Sequence, residues 1–379
     1  MVTVRDKLMQ DKMSSRERVI HALDHRQPDR VPFSWGFCAT SEMSRILSDY
    51  LAEKGLDWGK LRQTTGDVAP IGPKYIGPEP VDGNLFTGIW GINLKTADYG
   101  AGEYSEFTEY PLAGIEDPSE LADYPWPDPS AYDYESLRSD AMKTNSSGEK
   151  AVKFFAGNPF EIYTWMTGIE EALINLLVNP DLVRSALGYI TEFMETRLRN
   201  VLESAGDMVD IVFFADDLGS QTGLLMSIET YENLLKPFHV RLTETVRTYA
   251  PQARTMLHSD GAVFDILPSL IDAGFDVLEA VQTDATGMDP GRLKETYGSR
   301  LSFHGAISVQ QLLPNADVGT VKNECRRLVD ILGAGGGYIA APSHAIQTGT
   351  PPENVMAMLE AVLGDEDYQN ACEAAVVKR

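Results

Sequence analysis

AVKFFAG (151–157), DIVFFADD (210–217), RTMLHSD (254–260), DVLEAVQ (276–282), RLSFHGA (300–306) and GGYIAAPSH (336–344) are short apolar runs of one kind. Amphipathic stretches separate them, among them 180–204, 227–249 and 318–332. Short buried runs alternating with helical ones imply parallel strands covered by helices. VPFSW (31–35) and a strand near Asp67 bring the count to about eight strand–helix units. The expectation is α/β, a (β/α)8 TIM barrel rather than a doubly wound sheet. No GxGxxG follows a first strand, and GAGGG (333–337) precedes a strand, the wrong context for a phosphate cradle.

Working outward, SSRERVIHALDHRQPDRVP reads as an N-terminal helix. Ser14 or Ser15 caps it, Glu17 sits in its first turn and Pro28 stops it. Residues 66–109 carry Gly–Pro turns and alternating stretches such as GIWGINLKTAD and GEYSEFTEY. These predict an inserted antiparallel β-hairpin. A Pro/Asp-rich connector, Asp117 to Asp133, follows, but neither side of it looks like an independent core. One domain is expected over 1–379.

The 379 residues hold 32 Lys and Arg against 56 Asp and Glu, a formal charge of −24. That balance repels phosphates, so neither a nucleic acid nor an anionic membrane surface is an expected partner. An apolar content of 43% excludes general disorder. Cys38, Cys325 and Cys372 form no CxxC pair, so a reducing compartment is expected. MVTVRDKLMQDK lacks a signal-peptide apolar core, and Ile331 to Pro352 is broken by glycines and prolines. The expectation is a soluble, cytoplasmic enzyme.

Each apolar run ends in polar groups: Asn158; Asp216 and Asp217; His258 and Asp260; Glu279 and Gln282; His304; Ser343 and His344. In a barrel these ends meet at the face where active sites lie. Strand side chains alternate, so His258 and Asp260 point the same way. With Glu279 and His344 they offer two imidazoles and two carboxylates, a tetrahedral N/O site for zinc or a similar divalent metal. Without metal the set is an acid/base cluster. The plainer alternatives are a cap before Gly261 for Asp260 and a paired interior carboxylate for Glu279. Asp216, Asp217 and His304 are the expected catalytic groups, orienting substrate or handling a proton, although Asp217 also suits a cap. Trp35, Asn158, Gln282 and Ser343 are expected to touch substrate. Phe37, Trp165, Met166 and Met226 suit an apolar lining. His21, His25 and His239 fall on helices and read as structural or exposed.

RERVIHALDHRQPDRVP, DVAPIGPKYIGP, FFADDLGSQTGLLMS, LHSDGAVFDILPSLIDAGFDVLEAVQ, FHGAIS and GGGYIAAPSHAIQTGTPPENV carry a family resemblance. From Ser15 to about Leu363 the chain resembles the uroporphyrinogen decarboxylase superfamily, which implies a single (β/α)8 barrel. In true decarboxylases a histidine in a Gly-His loop corresponds to His344, and an early arginine-rich segment clamps substrate carboxylates. Here VPFSWGFCATSEMSR has no arginine before Arg45. The corrinoid- and folate-linked methyltransferase branch is more similar. Its metal pattern is H-x-C, then a glutamate in some members, then a late cysteine. The matching positions here are His258-x-Asp260, Glu279 and His344, with both cysteines replaced. A harder N/O site suits polarising an ether or alcohol oxygen. The resemblance therefore implies an enzyme that moves a methyl group from a small methylated or methoxylated donor to a corrinoid. No DxHxxG motif is present, so a separate corrinoid protein would bring that group. It would dock at the barrel mouth, near Trp35 and the 66–109 insertion. A second copy of the chain is a further candidate partner. The rival readings are decarboxylation of uroporphyrinogen or a smaller acid, with Lys74 and Lys95 as the nearest cations, and a non-catalytic binding barrel.

Overall fold

The computed structural model describes residues 12–80, 83–98, 103–145 and 148–377. The charged N-terminal run, on which the expectation of no leader rests, falls outside them up to Asp11. Among the described residues eleven strands follow one another: β1 (Val68–Ile71), β2 (Lys74–Tyr75), β3 (Asn93–Asp98), β4 (Glu103–Glu109), β5 (Tyr132–Asp133), β6 (Ala151–Gly157), β7 (Ile211–Ala215), β8 (Arg254–His258), β9 (Val277–Val281), β10 (Ser302–Ile307) and β11 (Tyr338–Pro342). Seven form one parallel sheet in the order β1-β6-β7-β8-β9-β10-β11. All six apolar runs are strands of this sheet. Helices pack over it, the longest being Pro180–Ala205, whose cap Asn179 accepts from the Leu182 N–H.

A parallel sheet buries both faces, which is why β7, β9 and β11 are buried at every position. Ala151, Ile211, Met256, Val277 and Ile339 form the inner cluster. The other face packs into the larger core under the helices. The N-terminal helix, Ser15–Leu23, adds Val19 and Leu23 to the inner cluster. Ser14 starts that helix with a capping box to Glu17.

The eighth position differs from expectation. Residues 31–35 make a single parallel bridge, Phe33 to Ala340, rather than a strand. The Ser34 N–H donates to Ala340 O (2.9 Å), the Ala340 N–H to Pro32 O (2.9 Å) and the Asp67 N–H to Phe33 O (2.8 Å). Pro32 has no N–H to extend the ladder. Gly36 (φ +55°) and Cys38 (φ +64°) then turn the chain away. The architecture is α/β, a curled seven-stranded parallel sheet of TIM-like design.

The expected 66–109 hairpin is narrower in the structure. β1 belongs to the main sheet, and β2 pairs with β5 from the following connector. The antiparallel hairpin is β3 with β4. Among the described residues no helix is long and apolar enough to cross a membrane.

One carboxylate device recurs at the sheet's lower rim. Asp67, Asp210 and Asp276 each precede a strand. Each accepts from the N–H of the neighbouring segment, from Phe33 (2.8 Å), Val152 (2.9 Å) and Thr255 (2.9 Å) respectively. Asp67 also takes Ser15 Oγ, Arg18 Nη1 (2.9 Å) and both terminal nitrogens of Arg30. Asp67 and Arg18 are both buried. Removing one partner of a buried pair strands the other charge, so Asp67→Ala should lose about 3–5 kcal/mol in urea unfolding. A loss below about 1 kcal/mol would show that the rim does not depend on this node.

Candidate metal centre

β8 ends on His258, and its neighbour β9 places Glu279 directly opposite. β11 runs out two residues before His344. One donor atom each from His258, Asp260 and His344 lie within 4.8 Å of one another. His258 is buried, and the other two are half-buried.

The back of His258 is occupied. Its Nδ1 donates to Glu279 Oε2 at 2.5 Å. A carboxylate only accepts, so in the neutral imidazole, the form that binds a metal, the lone pair sits on Nε2. That atom faces Asp260 Oδ1 and Asp217 Oδ1, each at 3.6 Å. Asp260 Oδ1 is buried and has no hydrogen-bond partner among the described residues. The Asp260 loop is pinned: its N–H donates to Asp217 Oδ1 (2.8 Å), and the Gly261 N–H donates to Gln282 Oε1 (2.9 Å). Gly261 has φ +86°, and a Cβ there would meet Ser220 O at 2.5 Å, so no other residue fits. The Phe37 ring lies 5.0 Å from the rings of both His258 and His344.

Burial opposes charge on His258, yet the Glu279, Asp260 and Asp217 carboxylates raise its pKa well above the usual imidazole value. Burial pushes Glu279 up, but His258 overrides it and draws the pKa down. Asp260 is raised to about 6 by burial and by the carboxylates of Asp217 and Glu279. Burial lowers His344, with the nearby His258 adding to it. Three acidic groups around one imidazole make a site that attracts a cation. Two imidazoles and one carboxylate, whose Oδ1 is the orphaned oxygen, fit zinc with the fourth position left open. Glu279 is set behind His258 rather than beside the other donors, the place of a group that orients a ligand.

The other expected site residues have different employment. Asp216 is fully buried. Its Oδ1 accepts from the N–H groups of Phe160 (2.8 Å) and Glu161 (2.9 Å), and its Oδ2 accepts from His239 Nε2 (2.7 Å). It holds the start of the helix Pro159–Thr167 and is not free for catalysis. His239, expected to be structural or exposed, is its buried partner. His304 is buried below the cluster, with Nδ1 3.7 Å from Glu279 Oε1, and burial lowers its pKa to about 4. Trp35 packs edge-on against Phe33 and Trp58, its N–H donating to Thr65 Oγ1 and Arg62 O. Being buried, Trp35 is no docking face; Phe37, 41% exposed, stands at the mouth instead. Gln282 holds the Gly261 loop. Ser343 Oγ accepts from the Val309 N–H, and Asn158 Nδ2 donates to Glu161 Oε2 (3.0 Å).

Glu161 was not foreseen. It lies between Asn158 and Asp217 on the wall of a cavity of about 260 Å³, which Phe107, Tyr110, Trp165 and Leu225 also line. Asp217 belongs to both this cavity and the cluster, so the two adjoin. Burial, with Asp217 and Asp216 nearby, raises Glu161 to about 8. The available signal was a lone acid in the apolar stretch PFEIYTW. A raised carboxyl pKa means the unfolded chain ionises first, so folded stability falls as pH rises from the usual 4.5 to about 8. Glu161→Gln should therefore gain stability over the parent across that window and no further above it. Melting curves from pH 4 to 9 check this; a constant difference would place Glu161 in ordinary solvent.

The profile of the uroporphyrinogen decarboxylase (URO-D) family matches residues 90–364, which include the whole cluster. The uroporphyrinogen decarboxylase of Nitrosospira multiformis is 24% identical over 217 residues, 55% of this chain and 55% of that protein. That of Methylococcus capsulatus is 26% identical over 176 residues, 44% and 48% of the two chains. The chain thus spans about half the length of these curated relatives. In three dimensions a methyltransferase from Methanosarcina mazei superposes with a TM-score of 0.63 at 19% identity, covering 92% of this chain and 98% of that one. Identity that low speaks for the fold. With its helix-covered parallel sheet and a profile match across most of its length, the chain belongs to the uroporphyrinogen decarboxylase family.

Proposed function

We propose that the chain is a metal-dependent methyltransferase that moves a methyl group from a small methylated or methoxylated compound to a corrinoid on a separate protein. The observation that carries this reading is the His258–Asp260–His344 cluster, backed by Glu279 and opening beside a cavity. We read the Pro32–Ser34 segment as the eighth stave, which puts the cluster at the catalytic face of a barrel. Zinc held there would act as a Lewis acid on the substrate's leaving oxygen.

The chain's own residues do the rest. Glu279 keeps Nε2 of His258 facing the cluster, and Asp217 fixes the Asp260 loop. Phe37 walls one side against water. Breaking the O–CH₃ bond leaves the electron pair of that bond on oxygen, which then needs a proton. Glu161 carries one at neutral pH, and because Asn158 donates to Oε2, the proton resides on Oε1.

Decarboxylation of a polyacid is less well supported. Arg45 is exposed and faces Glu42 and Asp49, and Lys74 is paired with Asp140. Neither is placed to clamp substrate carboxylates at the cluster.

Metal analysis of the full chain tests the reading. About one zinc per chain is expected, lost in the His258→Ala/His344→Ala variant with its circular dichroism intact. Methyl transfer from methoxy compounds to a corrinoid protein should vanish with it. A parent chain that takes up no metal when zinc is supplied, or a variant that binds it equally, would overturn the assignment. Glu279→Ala should keep the site but weaken zinc about 10- to 100-fold; unchanged affinity would deny Glu279 its orienting role.

A further inference from the structure

Arg197 has no part in the chemistry above. It lies on the helix Pro180–Ala205. Its Nη1 donates to Phe155 O (3.1 Å) and Ala156 O (3.4 Å), and its guanidinium carbon lies 5.0 Å from the Tyr132 ring centre and 5.1 Å from that of Phe154. Its Nε is sealed from solvent and has no hydrogen-bond partner among the described residues. Among the described residues it forms no ion pair with any carboxylate, in a chain with far more acids than bases. Arginine does not shed its charge to escape such a place. A sequestered cation without a counter-ion is costly unless something supplies one.

Beside it is a cavity of about 190 Å³ in which, among the described residues, Arg197 is the one charged lining residue. The walls are aromatic: Phe86, Trp90, Tyr132, Phe155 and Phe193. Phe86, at 45% exposure, leaves a way in. The Phe155 ring packs on Phe213 (5.7 Å), and Phe213 packs on His258 (6.4 Å). The cavity is thus joined by packed rings to the candidate metal centre without sharing its ligands.

We propose that this cavity is a binding site for an aromatic carboxylate, whose carboxylate pairs with Arg197 and whose ring lies among Phe86, Trp90 and Phe155. The guanidinium fork matches a carboxylate with two parallel hydrogen bonds. Ring against ring accounts for the walls, which an aliphatic acid would use less well. The site does not rest on the methyl-transfer reading and stands or falls apart from it.

Calorimetric titration of the full chain with benzoate, benzamide and cyclohexanecarboxylate is the test. Benzoate should bind at least about tenfold tighter than benzamide, its uncharged counterpart, and tighter than the non-aromatic acid. Arg197→Gln should remove that preference for benzoate over benzamide. Phe86→Ala, at a half-exposed rim position, should weaken benzoate while melting as the parent does. The His258→Ala/His344→Ala variant should bind benzoate as the parent does. No benzoate binding by the parent, binding equal to that of benzamide, or loss of benzoate in the His258→Ala/His344→Ala variant would each overturn the proposal.

Discussion

A buried carboxylate at the foot of a strand is what the rest of the molecule stands on. Asp67 accepts from Phe33 N–H while its own N–H donates to Phe33 O, so one residue joins β1 to the segment in the eighth position. Asp210 and Asp276 repeat the exchange with Val152 and Thr255. Each of the three satisfies a strand-end N–H that the ladder leaves unpaired. The N-terminal helix then brings Arg16 onto Asp210 and Arg18 onto Asp67, and presses Val19 and Leu23 into the inner cluster. Charge and apolar burial close the same end of the sheet. The candidate metal centre lies at the other end.

At that other end the ordering is inherited from backbone register. The pairing of His258 with Glu279 across β8 and β9 puts an acceptor behind the imidazole before any ligand arrives. Gln282 and Asp217 fix the following loop through its own N–H groups. Asp260 is thereby held with an unsatisfied oxygen facing inward, an arrangement that costs free energy unless a cation or proton donor relieves it. Sites with groups left unsatisfied in this way are where folds store function.

The strands that carry the site were legible because a parallel sheet demands continuous apolar runs, and each run ended in a visible polar group. The pairing of His258, Asp260 and His344 was legible for the same reason. What misled was the treatment of every strand-end polar group as facing the mouth. Asp216 and Asp217 are neighbours with opposite fates: one is consumed by two backbone N–H groups and His239, the other looks into the cavity. Trp35 reads as an exposed pocket aromatic, yet it is buried, its N–H donates to Thr65 and its ring packs on Phe33 and Trp58.

By itself, the sequence determined the α/β alternation, the run of parallel strands, the N-terminal helix and the cluster of His258, Asp260 and His344, because periodicity and strand-end position are local properties. Only the tertiary structure decided that the eighth position is a single bridge, that Glu279 stands behind His258, that burial raises the Glu161 pKa and that Arg197 has no counter-ion among the described residues. Those outcomes depend on which buried groups meet across elements far apart in the chain. Burial makes each unmatched charge or hydrogen bond decisive, and no local pattern records the match.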